Sequence, residues 1–202
     1  MTTTGSFRES GKAMGIVTRL NSSAIIADKR GSDVYKRVRL PLDEIAPADV
    51  KLAEMLGYWN GLRHGRQLPA RADIDPLMLK RMMGWTHIVD TTAENPAEYF
   101  YRLWGSSVRF DSGKDHTRMA VGGCPWPIVR DAIMQDYGSV VATGEPTYHL
   151  ISHTINYVRQ SIARLLLPLA KDGRRVDQLL VMVNERPLPA MEGDNVVAFR
   201  SN

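Results

Sequence analysis

The chain has one cysteine, Cys124, among its 202 residues. That count excludes an intramolecular disulfide and a cysteine-rich metal site within one chain, and it fits a reducing, cytoplasmic setting. Long apolar runs are missing too: none approaches the roughly 20 residues that span a bilayer, and the opening MTTTGSFRESGKAMG lacks the apolar core of a signal peptide. No membrane association is expected. Charge of one sign never accumulates either. The net charge is +4, but Lys and Arg are scattered with no run of five, so the basic tract that would track a nucleic acid is absent. Phosphate-cradling glycine motifs and the G-x-S-x-G nucleophile word do not occur. His149 and His153 are four apart, but on the strand expected there they stand about 13 Å from each other, too far to share one ion. His64, His87 and His116 show no ligand spacing, so neither a metal nor a cofactor is expected.

What remains is an ordinary globular composition, 44% apolar and 24% charged, in a length that suits one core with extensions. Residues 1–46 start Thr-, Ser- and Gly-rich with short apolar clusters and read as a flexible arm, with room for a strand or short helix. In residues 47–83 the pattern turns helical. Leu52, Met55, Leu56, Trp59 and Leu62 share one face, Pro47 and Asp49 suit the first turn, and Gly65 offers a left-handed stop, predicting an amphipathic helix over 48–64. Pro76, with Asp75 as N-cap, opens a short second helix to 83.

Residues 84–185 read as the main domain. Segments 85–90 (WTHIVD) and 99–104 (YFYRLW) are aromatic and β-branched and predict a pair of strands. Helical periodicity returns over 126–143 with Gly144 as its stop. Three strands follow, at 147–154, 163–169 and 176–183, the last two folded about Asp172-Gly173, a strong hairpin signal. Leu165 to Leu169 is nearly continuous in apolar residues, as a central strand requires, which puts Pro168 at its end or at a bulge. Residues 186–202 read as a tail.

Two stretches carry a family resemblance. Tyr58-Trp59, Leu62-Arg63, Gly65-Arg66, Leu68-Pro69, Arg71 and Asp73 to Pro76 form one, and Arg164 to Leu169, Asp172-Gly173, Val176-Asp177 and Leu179-Leu180 the other. With Phe100 to Leu103 (FYRL) and Gly113 to Asp115 between them, the chain resembles a bacterial PAS-like family best represented in alphaproteobacteria, over residues 45–185. The resemblance implies an α+β fold: a five-stranded antiparallel sheet with helices over one face and the amphipathic N-terminal helix outside the core. It also implies a stand-alone sensory or signalling adaptor that works by protein contact and has no catalysis of its own. The words Gly84-Trp85, Trp104-Gly105-Ser106 and Arg118 depart from the family pattern. A hot-dog thioesterase and a cone-shaped α+β ligand binder share some of these ingredients; the first would draw its carboxylate from Asp131 or Asp136.

Candidate site residues follow from the strand readings. Tyr99, Tyr101 and Leu103 share one face of their strand, and Ala163, Leu165, Leu167 and Leu169 one face of theirs. If both faces look at the long helix, Tyr99, Tyr101, Leu103, Trp126, Leu165 and Leu167 enclose a mostly apolar space with His149 at its edge, suited to a small organic ligand. Equally, these aromatics, with Trp85, Trp104 and Tyr148, could do no more than pack sheet against helix. Trp59, Arg63, Arg66, Arg71 and Asp73 are the candidate interaction surface, for a second copy in a homodimer or for a signalling partner; the alternative is that Arg–Asp bridges tie the helix-to-loop corner and Trp59 docks on its own sheet. Cys124 has no dedicated base and reads as an incidental thiol.

Overall fold

The computed structural model describes residues 3–5, 17–20, 23–27, 34–45, 49–108, 114–155 and 158–187. Short strands β1 (Thr3–Gly5), β2 (Val17–Leu20) and β3 (Ser23–Ala27) precede β4 (Val34–Leu40). Then come α1 (Val50–Gly61), α2 (Pro76–Met82), β5 (Thr86–Asp90), β6 (Phe100–Leu103), α3 (Pro127–Thr143), β7 (Thr147–Ile155), β8 (Val158–Leu169) and β9 (Gln178–Glu185). All described strands join one antiparallel sheet in the order β1-β2-β3-β4-β7-β8-β9-β5-β6. The expected five-stranded antiparallel sheet is its larger part, β7-β8-β9-β5-β6. Beyond it, β4 pairs with the edge of β7 from Val34↔Thr154 to Leu40↔Tyr148, so this part of the expected N-terminal arm is a strand of the sheet. Its residues VYKRVRL mix β-branched and aromatic with basic ones, and Tyr35 is buried.

β8 is central and apolar as expected, and Pro168 lies one residue before its end, opposite Leu179. The β8–β9 connection turns at Gly173, whose φ of +74° favours glycine, while Asp172 accepts the Arg174 and Arg175 amides at 2.9 and 2.8 Å. This turn meets the proline-bounded loop that follows α1. The Leu68 amide donates to the Gly173 carbonyl at 3.1 Å, and the Ala170 amide to the Pro69 carbonyl at 2.9 Å. The two stretches that carry the family resemblance are therefore in contact with each other.

α1 corrects an expectation. It does not stand outside the core: Leu52, Met55 and Trp59, one apolar face at i, i+3 and i+7, are buried in the same cluster as Leu165, Leu167 and Leu180. The Trp59 indole donates to the Pro168 carbonyl at 2.9 Å. Asp49 caps the helix by accepting from the Leu52 amide at 3.2 Å, and its other oxygen accepts from the Asn184 amide nitrogen of β9 at 2.8 Å. Amphipathicity in the sequence shows that one face of the helix must be covered and does not name the cover. α3 packs on the opposite face of the sheet and ends at Gly144, φ +68°, as its sequence predicts.

Candidate functional site

Strand alternation divides the sheet into two faces. Odd positions of β8 meet α1, whereas Ile162 and Arg164 turn toward α3 and line a cavity of about 50 Å³. Around it stand Tyr35 of β4, His87 of β5, Tyr101 of β6, His153 of β7, and Val181 and Val183 of β9. Val129, Ile133 and Tyr137 of α3 roof it, and Trp104, Val108, His116 and Cys124 of the β6–α3 connection close the end.

The wall at that end is aromatic. His87 stacks on Trp104 with centroids 3.9 Å apart, Tyr101 meets Trp104 edge-on at 4.8 Å, and His116 lies 4.6 Å from Trp104. His87 Nδ1 accepts from the Gly105 amide at 3.1 Å, which leaves its proton on Nε2. That amide can approach because Gly105 has no side chain: a Cβ there would lie 2.5 Å from the Gly84 carbonyl oxygen. Burial, aided by His116 and Arg164, pushes the His87 imidazole down to about 3, so it is neutral at physiological pH. Burial raises the Tyr35 phenol to about 12 and also raises Tyr101 and Tyr137, whose hydroxyls are hydrogen-bonded to each other.

Arg164 carries the opposite wall to a cluster of charge behind it. Asp136 of α3 accepts from Arg164 on one carboxylate oxygen and from Arg37 of β4 on the other. Arg164 is 4% exposed and Asp136 5%. Burial pushes the Asp136 carboxyl up and the two guanidiniums oppose it; with a cationic donor on each oxygen it is ionised. His149 Nε2 is 4.0 Å from the same carboxylate, and burial together with Arg164 and Arg37 drives this imidazole to about 2. Two guanidinium charges thus face one carboxylate and neutral imidazoles, so the cluster carries one net positive charge, with Arg164 buried and Arg37, 14% exposed, also donating to the Gln135 side chain at 3.3 Å. The Arg164 Nε–H and the Trp104 Nε1–H are both buried and have no hydrogen-bond partner among the described residues.

This is the architecture of a known family. The PAS domain family matches the sequence over residues 48–183. The chain belongs to that family. Searches of curated proteins and of solved structures found no match. The matched span runs from α1 into β9, and β4 lies outside it. Tyr35 on the cavity wall of this PAS domain and Arg37 in the ion pair behind it therefore come from upstream of the family span. No helix among the described residues is long and apolar enough to cross a membrane, and no group of three or more metal-ligating side chains occurs among them.

Of the expected ligand residues, Tyr101 lines the cavity of the PAS domain. Leu165 and Leu167 do not; they pack toward α1 in the cluster that holds Trp59. Leu103 is turned away by a bulge, which sets it opposite Ile88 while Tyr101 stands opposite Val89. Tyr99 opens instead on a separate surface groove with Val141 and Val176. Trp126 packs beside Ile128 at the start of α3, and His149 sits behind the cavity against Asp136. Among the expected interaction residues, Trp59 is 2% exposed and so is no contact surface for a partner. Arg63 lies over its ring at 5.5 Å. Arg66 bridges Asp73, which also accepts the Ala70 amide at 2.7 Å, and the Arg66 stem flanks Gly173. The Ala70 amide and then Arg66 hold the Asp73 carboxyl below its ordinary value. This corner is structural glue between the loop and the hairpin turn; Arg71, half-buried, opens the 3₁₀ turn inside it. Sequence reasoning does not bring Arg164, Arg37 and Tyr35 to the site, and it names Asp136 only as the acid of a hot-dog enzyme. One signal was available: an arginine entering an otherwise apolar central strand needs a buried partner.

Proposed function

We propose that this PAS domain is a cytoplasmic signalling module that holds a small organic molecule between its sheet and α3 and reports occupancy by protein contact, without catalysis of its own. The observation that carries the reading is the cavity itself, an aromatic and aliphatic enclosure in which two buried N–H donors remain uncommitted. A core filled only for stability would be expected to satisfy them. The output is supported by β4. Because Tyr35 and Arg37 reach the site from a strand at the edge of the PAS sheet, a change in the cavity bears directly on how the upstream strands attach. The hot-dog reading loses its acid, since both oxygens of Asp136 are occupied by guanidiniums and Asp131 is paired with Arg130 at 2.9 Å.

Assembly with a second copy or another signalling protein would use surfaces other than the apolar face of α1, which its own sheet covers. Leu77 and Met83, at the two ends of α2, are 70% and 42% exposed. Native mass spectrometry of protein purified from cells tests the sensing reading. A co-purifying small molecule lost on denaturation supports it; ligand-free protein whose partner binding is unchanged by Tyr101→Ala leaves an interaction module only.

A further inference from the structure

The buried charge balance says more about the occupant than its size alone. Arg164 and Arg37 bring two positive charges and Asp136 one negative, so the ion cluster behind the cavity is not neutral. Arg37 relieves part of the excess toward the surface, where it donates to the exposed Gln135 side chain at 3.3 Å, but Arg164 is 4% exposed, and a charge that deep favours a counter-charge within reach. The group left over is specific: the Arg164 Nε–H, buried and without an acceptor among the described residues, on a side chain that lines the cavity. Trp104 lines the same cavity and carries a second buried donor in the same condition, its Nε1–H. Three groups beside them are already engaged: Asp136 holds both guanidiniums, the Tyr101 and Tyr137 hydroxyls bond each other, and His87 Nδ1 takes the Gly105 amide.

We propose that the cavity binds a short-chain monocarboxylate, its carboxylate accepting from Arg164 and its apolar end packed among Ile133, Val129 and Tyr35. This rests on the reading of the cavity as a ligand site and names the ligand class. Carboxylate matches the guanidinium edge, and a single negative charge neutralises the cluster where a doubly charged phosphate would overshoot it. Size sets the chain length. The cavity is about 50 Å³, a third of the roughly 150 Å³ in which benzene binds and room for about three or four heavy atoms, so an acid of one or two carbons fits.

The test is thermal shift and titration calorimetry on the full chain, with sodium formate and acetate against acetamide and sodium chloride at matched ionic strength, and with butyrate as an acid too large for the cavity. Acetate is expected to stabilise the protein saturably and acetamide to bind at least tenfold more weakly, because the amide has the acid's shape without its charge. Arg164→Lys is expected to weaken acetate binding at least tenfold. Should that variant not fold, the acid–amide comparison on the unmodified chain decides by itself. Equal binding of acetamide, or a chloride effect as large as acetate's, overturns the carboxylate inference. So does a neutral molecule found in the native protein, which keeps the ligand site and discards only its charge preference. Failure of every acid and amide, in protein that also carries no native ligand, discards both.

Discussion

Replacing Asp136 by Asn interrogates the buried ion cluster with the least change in shape. The carboxylate is 5% exposed, as is the Arg164 side chain, and that of Arg37 is 14% exposed. An amide can accept from one guanidinium through its oxygen, but its nitrogen then faces the N–H of the other, donor against donor. One of the two arginines therefore loses its acceptor, and both lose the charge that compensates their burial. Removing one partner of a buried pair typically costs about 3–5 kcal/mol, against about 0–1 kcal/mol for an exposed pair. For a chain of this length each kcal/mol moves the Tm by roughly 2–4 °C, so Asp136→Asn is expected to lower it by about 6–20 °C. Urea and thermal unfolding at pH 7, followed by tryptophan fluorescence, give both quantities. Asp131→Asn is the matched control: its bridge to Arg130 has side chains 28% and 34% exposed, and its loss should stay within about 1 kcal/mol. Converting all three charges together, as Arg37→Met, Asp136→Leu and Arg164→Met, should recover most of the loss, because no unpaired charge is then left behind. An Asp136→Asn protein within about 1 kcal/mol of the unmodified chain would falsify the account of a buried carboxylate that compensates two guanidiniums.

Acidification gives a second prediction. His87, His149 and His153 are buried neutral, with imidazoles lowered to about 3, 2 and 4, so the unfolded chain takes up protons first and stability falls as the pH drops below 6.5. Each contributes a slope of up to about 1.4 kcal/mol per pH unit, and His87→Phe should flatten the measured dependence between pH 6.5 and about 3 by roughly one such increment. Trp59→Phe removes the donor to the Pro168 carbonyl, leaving that oxygen buried, and should cost about 1–3 kcal/mol in urea unfolding; Trp59→Ala should cost about 3–5 kcal/mol. Gly105→Ala sets a methyl 2.5 Å from the Gly84 carbonyl oxygen and 2.8 Å from the Thr86 amide, both backbone atoms, and should lose about 1–3 kcal/mol or more; an unchanged Tm shows that the approach is looser than described.

Local chemistry made most of the elements legible. The i, i+3, i+7 spacing of Leu52, Met55 and Trp59, the Gly144 stop, the aromatic strand pair and the Asp172-Gly173 turn each depend on residues within a few positions of one another, so the sequence alone determined that they form. Element order and the two motif stretches were then enough for the PAS family. The orientation of β8 was not available in the same way. Alternation divides its residues into two sets, but Leu165, Leu166 and Leu167 are all fully buried, and a strand covered on both faces does not mark in its own sequence which set meets which helix. The tertiary structure decided it, turning Leu165 and Leu167 toward α1 and Arg164 toward α3. It likewise decided the charge of the cavity. Arg37, Asp136 and Arg164 come from three separate elements, and only the pairing of β4 with β7 and the seating of α3 bring their opposite charges within reach.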